Sequence, residues 1–129
     1  MMAPNGQLQA ALSAFFLSKG VFADIYDDAP ARASFPYLVI HCPADTAWNM
    51  QGLDGREIGI ELTLWDEQPS RLVRLEHDLS VGREDVPPLE GWRLTSLVEL
   101  GRQRTRNPAG PWSHTLKLRA RVVNDGVGA

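Results

Sequence analysis

Cysteine is almost absent from this sequence, with Cys42 as the single thiol among 129 residues. One cysteine excludes an internal disulfide, and no paired Cys and His spacing indicates structural zinc. The net charge of -3 at pH 7 argues against a protein whose main task is to hold DNA, because neutralising phosphates usually requires a basic surface. The common nucleotide-binding, hydrolase and metalloprotease motifs are also missing.

A long hydrophobic run is lacking as well. The apolar stretch near the N-terminus, residues 8–17, is too short to cross a bilayer, which takes about 20 residues. It also lacks the basic lead of a secretory signal. We therefore expect no membrane association and production in the cytoplasm.

What remains is ordinary globular composition, with 43% hydrophobic and 22% charged residues. The length fits a single domain with one core. We predict one domain over residues 1–129, with its core at about 7–123 and a loose tail at 124–129.

Hydrophobic spacing predicts two helices. The first covers residues 7–18 and ends near Gly20, and the second lies within residues 65–79 with Pro69 in its first turn. The inner stripes are Leu8, Ala11, Leu12, Phe15 and Phe16 in the first, and Leu72, Leu75 and Leu79 in the second.

Alternating or β-branched stretches predict five strands. Three lie around residues 25–26, 35–42 and 58–65, and two long ones between Trp92 and Val123 flank the turn NPAGP. The fold class is therefore α+β, a mainly antiparallel sheet with two helices on one face and a long C-terminal β-hairpin. Residues 43–57 are polar and turn-rich, which predicts a functional loop that becomes ordered on assembly.

His41 and Cys42 are adjacent, as a nucleophile and its base or half of a metal site would be. Successive side chains of a strand point to opposite faces, however, so these two cannot exchange a proton or hold one ion together. We interpret the pair as the end of a strand with a buried thiol.

Three further groups could carry chemistry. Asp24, Asp27 and Asp28 could contact a cation, although a solvated charge run fits their spacing better. His77 is expected on a helix surface, and His114 opposite Arg104 in the hairpin, where its charged form is disfavoured. We expect no catalytic, metal-binding or cofactor-binding residue, no cofactor and no enzymatic activity.

The C-terminal hairpin changes character near its turn. With the turn at residues 107–111, Arg106 lies opposite Trp112, and Leu100 opposite Leu118 on the apolar face. Beyond Gly101 that face becomes cationic, so either Gly101 marks a bulge or the tip projects past the core. The arginines are then either interface anchors or a solvated turn.

The candidate interface consists of two groups of residues. They are Arg102, Arg104, Arg106 and Trp112 at the hairpin tip, and Trp48, Asn49 and Met50 in the 43–57 loop. Arginine and tryptophan are enriched among energetic anchors of interfaces. We expect alanine at Trp112 and Arg104 to leave the monomer folded, since neither is predicted to lie in its core.

Several stretches along the chain suggest a family. They are VFADIYDDAPARASFPYLVIH, DTAWNMQGLDGREIGIELTLWDE, GWRLTSLVEL and WSHTLKLRARV, in that order over residues 8–123. This succession resembles short phage tail-completion proteins, and is similar in layout to the tail terminators of long-tailed phages and of gene transfer agents. The segment VPPLEG before the hairpin departs from the commoner form.

The resemblance implies a structural virion protein without chemistry. Such proteins form rings, typically hexameric, that cap the head-proximal end of the tail tube, end its growth and contact the head–tail connector or stopper. DNA would pass through the pore without specific binding, which suits a mildly acidic protein. The alternatives are a head-completion or neck protein, an enzyme using Asp24, Asp27 or His41, and a monomeric host binding module.

Overall fold

The computed structural model describes residues 3–28, 30–43, 45–49, 51–108 and 110–125. Two helices are α1 (Pro4–Lys19) and α2 (Pro69–Leu75), and α2 continues as a 3-10 turn at Glu76–Leu79, with a second 3-10 turn at Arg83–Asp85. The strands are β1 (Asp24–Tyr26), β2 (Tyr37–His41), β3 (Asp45–Ala47), β4 (Gly55–Asp66), β5 (Trp92–Thr105) and β6 (Trp112–Asn124). Met50 and most of the predicted loose tail, residues 126–129, lie outside the described residues.

The strands form one sheet in the order β1-β2-β4-β6-β5, with β3 paired to the start of β4. Only the β1–β2 pair is parallel among the described strands, and the others are antiparallel. The predicted fold class is therefore confirmed. β5 and β6 pair antiparallel because only a short turn joins them, and a parallel pair would need a longer crossover connection.

Both helices pack on one face of this sheet. The alternation in β4 sends Ile58, Ile60, Leu62 and Leu64 toward the helices, all at most 3% exposed. Inner-stripe residues of both helices belong to the same core cluster, including Leu8, Leu12, Phe16, Leu72 and Leu75. We call the opposite side the open face, because no helix covers it among the described residues.

The first helix ends where the sequence predicts. Gly20 adopts the left-handed conformation at φ 69° and its N–H donates to the carbonyl of Leu17. Glycine suits this position because a side chain is strained at positive φ. The start is earlier than predicted, since Pro4 occupies the first turn, where its missing N–H is harmless.

A buried carboxylate, that of Asp66, accepts hydrogen bonds at the start of the second helix. Asp66 is 0% exposed and accepts hydrogen bonds from the backbone N–H of Gln68 at 3.1 Å and from Arg71 at 2.7 Å through each oxygen. Gln68 makes no side-chain cap. Asp66 therefore supplies the acceptor that the helix N-terminus needs.

We expect Asp66→Ala to lower the free energy of unfolding by about 1–3 kcal/mol, because the donors that Asp66 satisfies lose their partner. Asp66→Asn keeps one acceptor and should lose less. Urea unfolding followed by circular dichroism measures both variants. Equal stability of Asp66→Ala and the unsubstituted protein would contradict this role.

The predicted loop at 43–57 is wrong in part. Residues 45–47 form β3, which pairs with residues 56–58 of β4, and β4 itself already begins at Gly55. The segment is therefore a β-hairpin whose turn lies between Ala47 and Gly55. Sequence periodicity missed β3 because three residues are too few to alternate visibly.

The C-terminal hairpin has the predicted register only near its turn. Arg104 lies opposite His114 and Arg102 opposite Leu116, as predicted. Glu99, rather than Leu100, lies opposite Leu118, because the register shifts by one residue between Glu99 and Gly101. The bulge alternative at Gly101 is thus confirmed, and a second shift occurs between Leu94 and Ser96.

Candidate assembly interface

The His41–Cys42 pair is split between the two sides of the sheet, as predicted. His41 is exposed, whereas Cys42 is 4% exposed and its burial raises the pKa of the thiol to about 12. A thiol so far from ionisation is a poor nucleophile at neutral pH. The backbone of Cys42 bonds to α1, accepting from Asn5 at 3.2 Å and donating to Gln9 at 3.3 Å.

Arg104, a candidate interface residue, lies on the helix side of the sheet. Its guanidinium donates two hydrogen bonds of 2.8 Å to the two carboxylate oxygens of Glu76. Because opposed residues of an antiparallel pair share a face, Arg104 shares the face of the buried His114. The expectation that cationic residues cannot continue this face is wrong, since Glu76 supplies a matched carboxylate.

Arg102 binds the same region of the helix. Its Nε donates to Glu99 at 2.6 Å, and Nη1 donates to the backbone carbonyl of Glu76 at 3.0 Å. Glu76 is the residue where α2 passes into the 3-10 turn, so its carbonyl accepts from a cation at a helix C-terminal end. We call Glu76, Arg102, Arg104 and His114 the Glu76 cluster.

His114 lies beneath these cations. Its Nδ1 is 2.8 Å from Glu76 Oε2, a close electrostatic contact. Burial lowers the pKa of His114, Arg102 and Arg104 lower it further, and Glu76 opposes them. The hydrogen bond from Arg104 lowers the pKa of Glu76. At neutral pH the cluster therefore pairs a carboxylate with cationic arginine beside a neutral imidazole.

The end of the hairpin presents Arg106 and Trp112. The guanidinium of Arg106 lies 5.4 Å from the centre of the Trp112 ring, a cation–π contact. Arg106 is exposed, whereas Trp112 is partly buried and packs against the core. The premise that neither residue lies in the core therefore holds for Arg104, which is exposed and ion-paired to Glu76, but is wrong in part for Trp112, which packs against the core.

Trp48 and Asn49 hold the β3–β4 turn against the open face. The Trp48 ring lies 4.8 Å from the guanidinium of Arg121, which contacts Glu57 at 3.3 Å. The Trp48 N–H donates to the carbonyl of Gly55 at 2.9 Å, and Asn49 accepts from the Gly55 N–H at 3.4 Å. Trp48 is thus half-buried and fixes the turn to the sheet rather than being a free loop side chain. We call these contacts of Trp48 the Trp48 staple.

The structure does not bring the two candidate groups together. Trp112 is the first residue of β6, and the Trp48 contact with Arg121 lies nine residues further along that strand. At about 3.3 Å per residue the two are separated by roughly 30 Å. The candidate interface therefore consists of two separate surfaces, at opposite ends of the C-terminal hairpin.

Sequence reasoning missed Glu76 and Arg121, the partners of these surfaces. Both looked like ordinary solvated charges, and neither stands at a motif spacing that could have marked it. Across the residues that the structure describes, His, Cys, Asp and Glu side chains form no group of three that could hold a metal ion. The helices of the described part are not long and apolar enough to cross a bilayer.

The structure is a small α+β domain, and the contacts that distinguish its candidate residues are ion pairs and cation–π contacts. The profile of the family described as "Tail completion protein gp17" matches residues 6–123. The chain therefore belongs to this phage tail-completion family, whose place is the virion.

A solved structure shares the fold. A chain from a structure titled "Virion of native gene transfer agent (GTA) particle" superposes with a TM-score of 0.70 at 18% sequence identity. The superposition covers 95% of this protein and 99% of that chain. No curated protein sequence matches.

Proposed function

We propose that this protein is a tail terminator: a ring, most simply a hexamer, that caps the head-proximal end of a tail tube. In this role it ends tube growth and joins the tail to the head connector or stopper. Its partners are further copies of itself, the tail tube protein and the connector. DNA passes through the pore without specific binding.

The observation that carries this proposal is the agreement between family and fold. The tail-completion family covers residues 6–123, and a chain of a gene transfer agent virion has the same fold over almost its whole length. A net charge of -3 supports the passage of DNA, because a strongly basic lining would retain phosphates.

The contacts with neighbours are assigned to exposed groups of the two surfaces described above. Arg106, on Trp112, is exposed at the end of the hairpin tip, and Asn49 is exposed beside Trp48. Met50 follows Asn49 in the chain. Arg102 and Arg104 hold the tip against the helix end and so present Arg106 in a fixed position.

Removing the gene from its particle-producing host tests this role. We expect tails of uncontrolled length, or tails without heads, because nothing ends the tube. Complementation with the natural gene should restore uniform particles, and Arg106→Glu should restore them poorly because the tip becomes anionic. Arg32→Glu, an exposed arginine that belongs to neither surface, is the control.

Electron microscopy of negatively stained particles measures both tail length and head attachment. Tails of normal length in the deletion strain, accompanied by heads that lose their DNA, would instead indicate a neck protein. Full complementation by Arg106→Glu would show that the hairpin tip is not part of the interface. It would not contradict the role of the protein as a terminator.

A further inference from the structure

The sheet has two ends that are unpaired in the described chain. β1 pairs with β2 alone and β5 with β6 alone, so one edge of each outer strand is free of strand partners. The first half of β5 is sheltered by the preceding segment, where Arg83 donates to the carbonyl of Thr95. The second half, from Val98 to Thr105, is exposed at every residue.

The bare half of β5 carries apolar side chains. Val98 is 40% exposed and Leu100, at the bulge, is 59% exposed. Proteins usually protect a free edge with charges, covering loops or very short strands, because unpaired backbone groups recruit other strands. The charged residues of this half are engaged within the chain, because Arg102 donates to Glu99 and to the carbonyl of Glu76, and Arg104 donates to the Glu76 carboxylate. The exposed apolar side chains of Val98 and Leu100 therefore remain available to bind another chain.

The opposite end of the sheet offers a cleft. A space of about 550 Å³ lies between α1 and β1, lined on the helix by Gly6, Ala10 and Ser13 and on the strands by Ile25 and Ile40. Small residues on the helix leave this space open beside the β1 edge. Side chains of an added strand could occupy it, because alternate residues of that strand would point toward α1.

The two ends also have opposite charge. Residues 92–124, which form the β5–β6 hairpin, contain seven lysine and arginine residues and one carboxylate, Glu99. Residues 21–43, which contain β1 and β2, hold three aspartates and one arginine. Asp24 and Asp27 are exposed at the β1 end, and Lys117 is exposed near the β5 end. A surface of this kind attracts the opposite end of a second copy and repels its own.

We propose that the bare half of β5 of one copy adds to the β1 edge of the next, so that sheets join head to tail around the ring. The inference rests on the ring proposed above and adds a backbone contact between copies to the side-chain contacts assigned to Arg106 and Asn49. β1 and β2 run together and each later pair is antiparallel, so β5 runs opposite to β1. A neighbour rotated about an axis along the strands therefore forms an antiparallel pair, and such a heterologous contact closes into a ring.

Two variants block one edge each. In the first, Asp24→Lys with Asp27→Lys makes the β1 end repel the basic hairpin. In the second, Val98→Asp with Leu100→Asp places carboxylates on the β5 edge, opposite the acidic end. All four side chains are at least partly exposed, so we expect both monomers to remain folded by circular dichroism.

Each variant has a control with the same chemistry at another place. Glu67→Lys with Glu90→Lys repeats the charge change at exposed sites outside β1 and outside the bare half of β5. Leu17→Asp with Val73→Asp repeats the apolar-to-acid change on the helices, where these residues are 60% and 44% exposed. Both controls should assemble as the unsubstituted protein does.

Native mass spectrometry of the purified protein, alone and with tail tubes, provides the readout. We expect rings from the unsubstituted protein and both controls, and monomers from either blocked variant. An equimolar mixture of the two blocked variants should give heterodimers that grow no further, because only one intact edge pair remains. This result is specific to a head-to-tail contact between these two edges.

Rings from either blocked variant, or a mixture that stays monomeric, would overturn the edge pairing while the terminator role stands. An unsubstituted protein that stays monomeric even on tail tubes would overturn the ring as well. Loss of assembly in the controls would show that net charge rather than the edges governs association, and this too would overturn the proposal.

Discussion

Gly55→Ala is expected to displace the β3–β4 turn and with it the Trp48 staple. A methyl group at Gly55 would collide with the carbonyl oxygen of Trp48 and lie 2.8 Å from Cε3 of its ring. The backbone of Trp48 must then move, breaking its hydrogen bond to Gly55 and its contact with Arg121. Since overpacking of this kind commonly lowers the free energy of unfolding by about 1–3 kcal/mol, we expect a loss in that range.

The same strand supplies a matched control. An added methyl at Gly59 meets no atom within 4 Å, so Gly59→Ala should leave the fold intact or stabilise it by about 0.5–1 kcal/mol through lower backbone entropy. Urea unfolding measures stability, and Trp48 fluorescence in a protein whose other tryptophans are replaced by phenylalanine reports the turn. Equal stability of the two glycine variants would contradict the staple.

The Glu76 cluster supports the second prediction. Glu76→Ala leaves Arg104 without its paired carboxylate and leaves the buried His114 beside two arginines. The side chain of Glu76 is 14% exposed, so its loss should lower the free energy of unfolding by about 1–2 kcal/mol. The hairpin tip should also detach from the end of α2, which hydrogen exchange of the backbone around Arg104 measures.

Glu67→Ala is the control, because Glu67 is an exposed carboxylate at the start of α2. It should change neither stability nor exchange at the tip. Equal stability and equal hydrogen exchange at the tip in Glu76→Ala and Glu67→Ala would show that the Glu76 cluster does not hold the hairpin tip on the end of α2.

The contribution of the Glu76 cluster to the free energy of unfolding decreases as the pH falls. The pKa of His114 lies below its ordinary 6.5, so the unfolded chain binds that proton more readily and stability falls as pH drops below 6.5 toward the lowered pKa. The pKa of Glu76 lies below 4.5, so its contribution persists above 4.5 and is lost as pH falls through the lowered pKa. His114→Gln should abolish the first fall and keep the second in unfolding curves taken from pH 7 to 3.

The sequence by itself determined both α-helices, five of the six strands and the buried face of β4. Period-two alternation placed Ile58 and Leu64 inward, and adjacency alone placed His41 and Cys42 on opposite sides, because strand geometry leaves no other choice. Gly20 marked the end of α1 through its tolerance of positive φ. These features depend on contacts within a few residues, which a pattern along the chain records.

Only the tertiary structure decided what the charged and aromatic side chains do. The sequence predicted Arg104 to be an interface anchor. Only the fold places Glu76, 28 positions away, within hydrogen-bonding distance of it. The register of the hairpin differs from the predicted one because a bulge near Gly101 changes the pairing of the residues that precede it in β5. Partners this distant in sequence meet through packing of the whole sheet, and a linear pattern contains no signal for which distant carboxylate a given arginine will find.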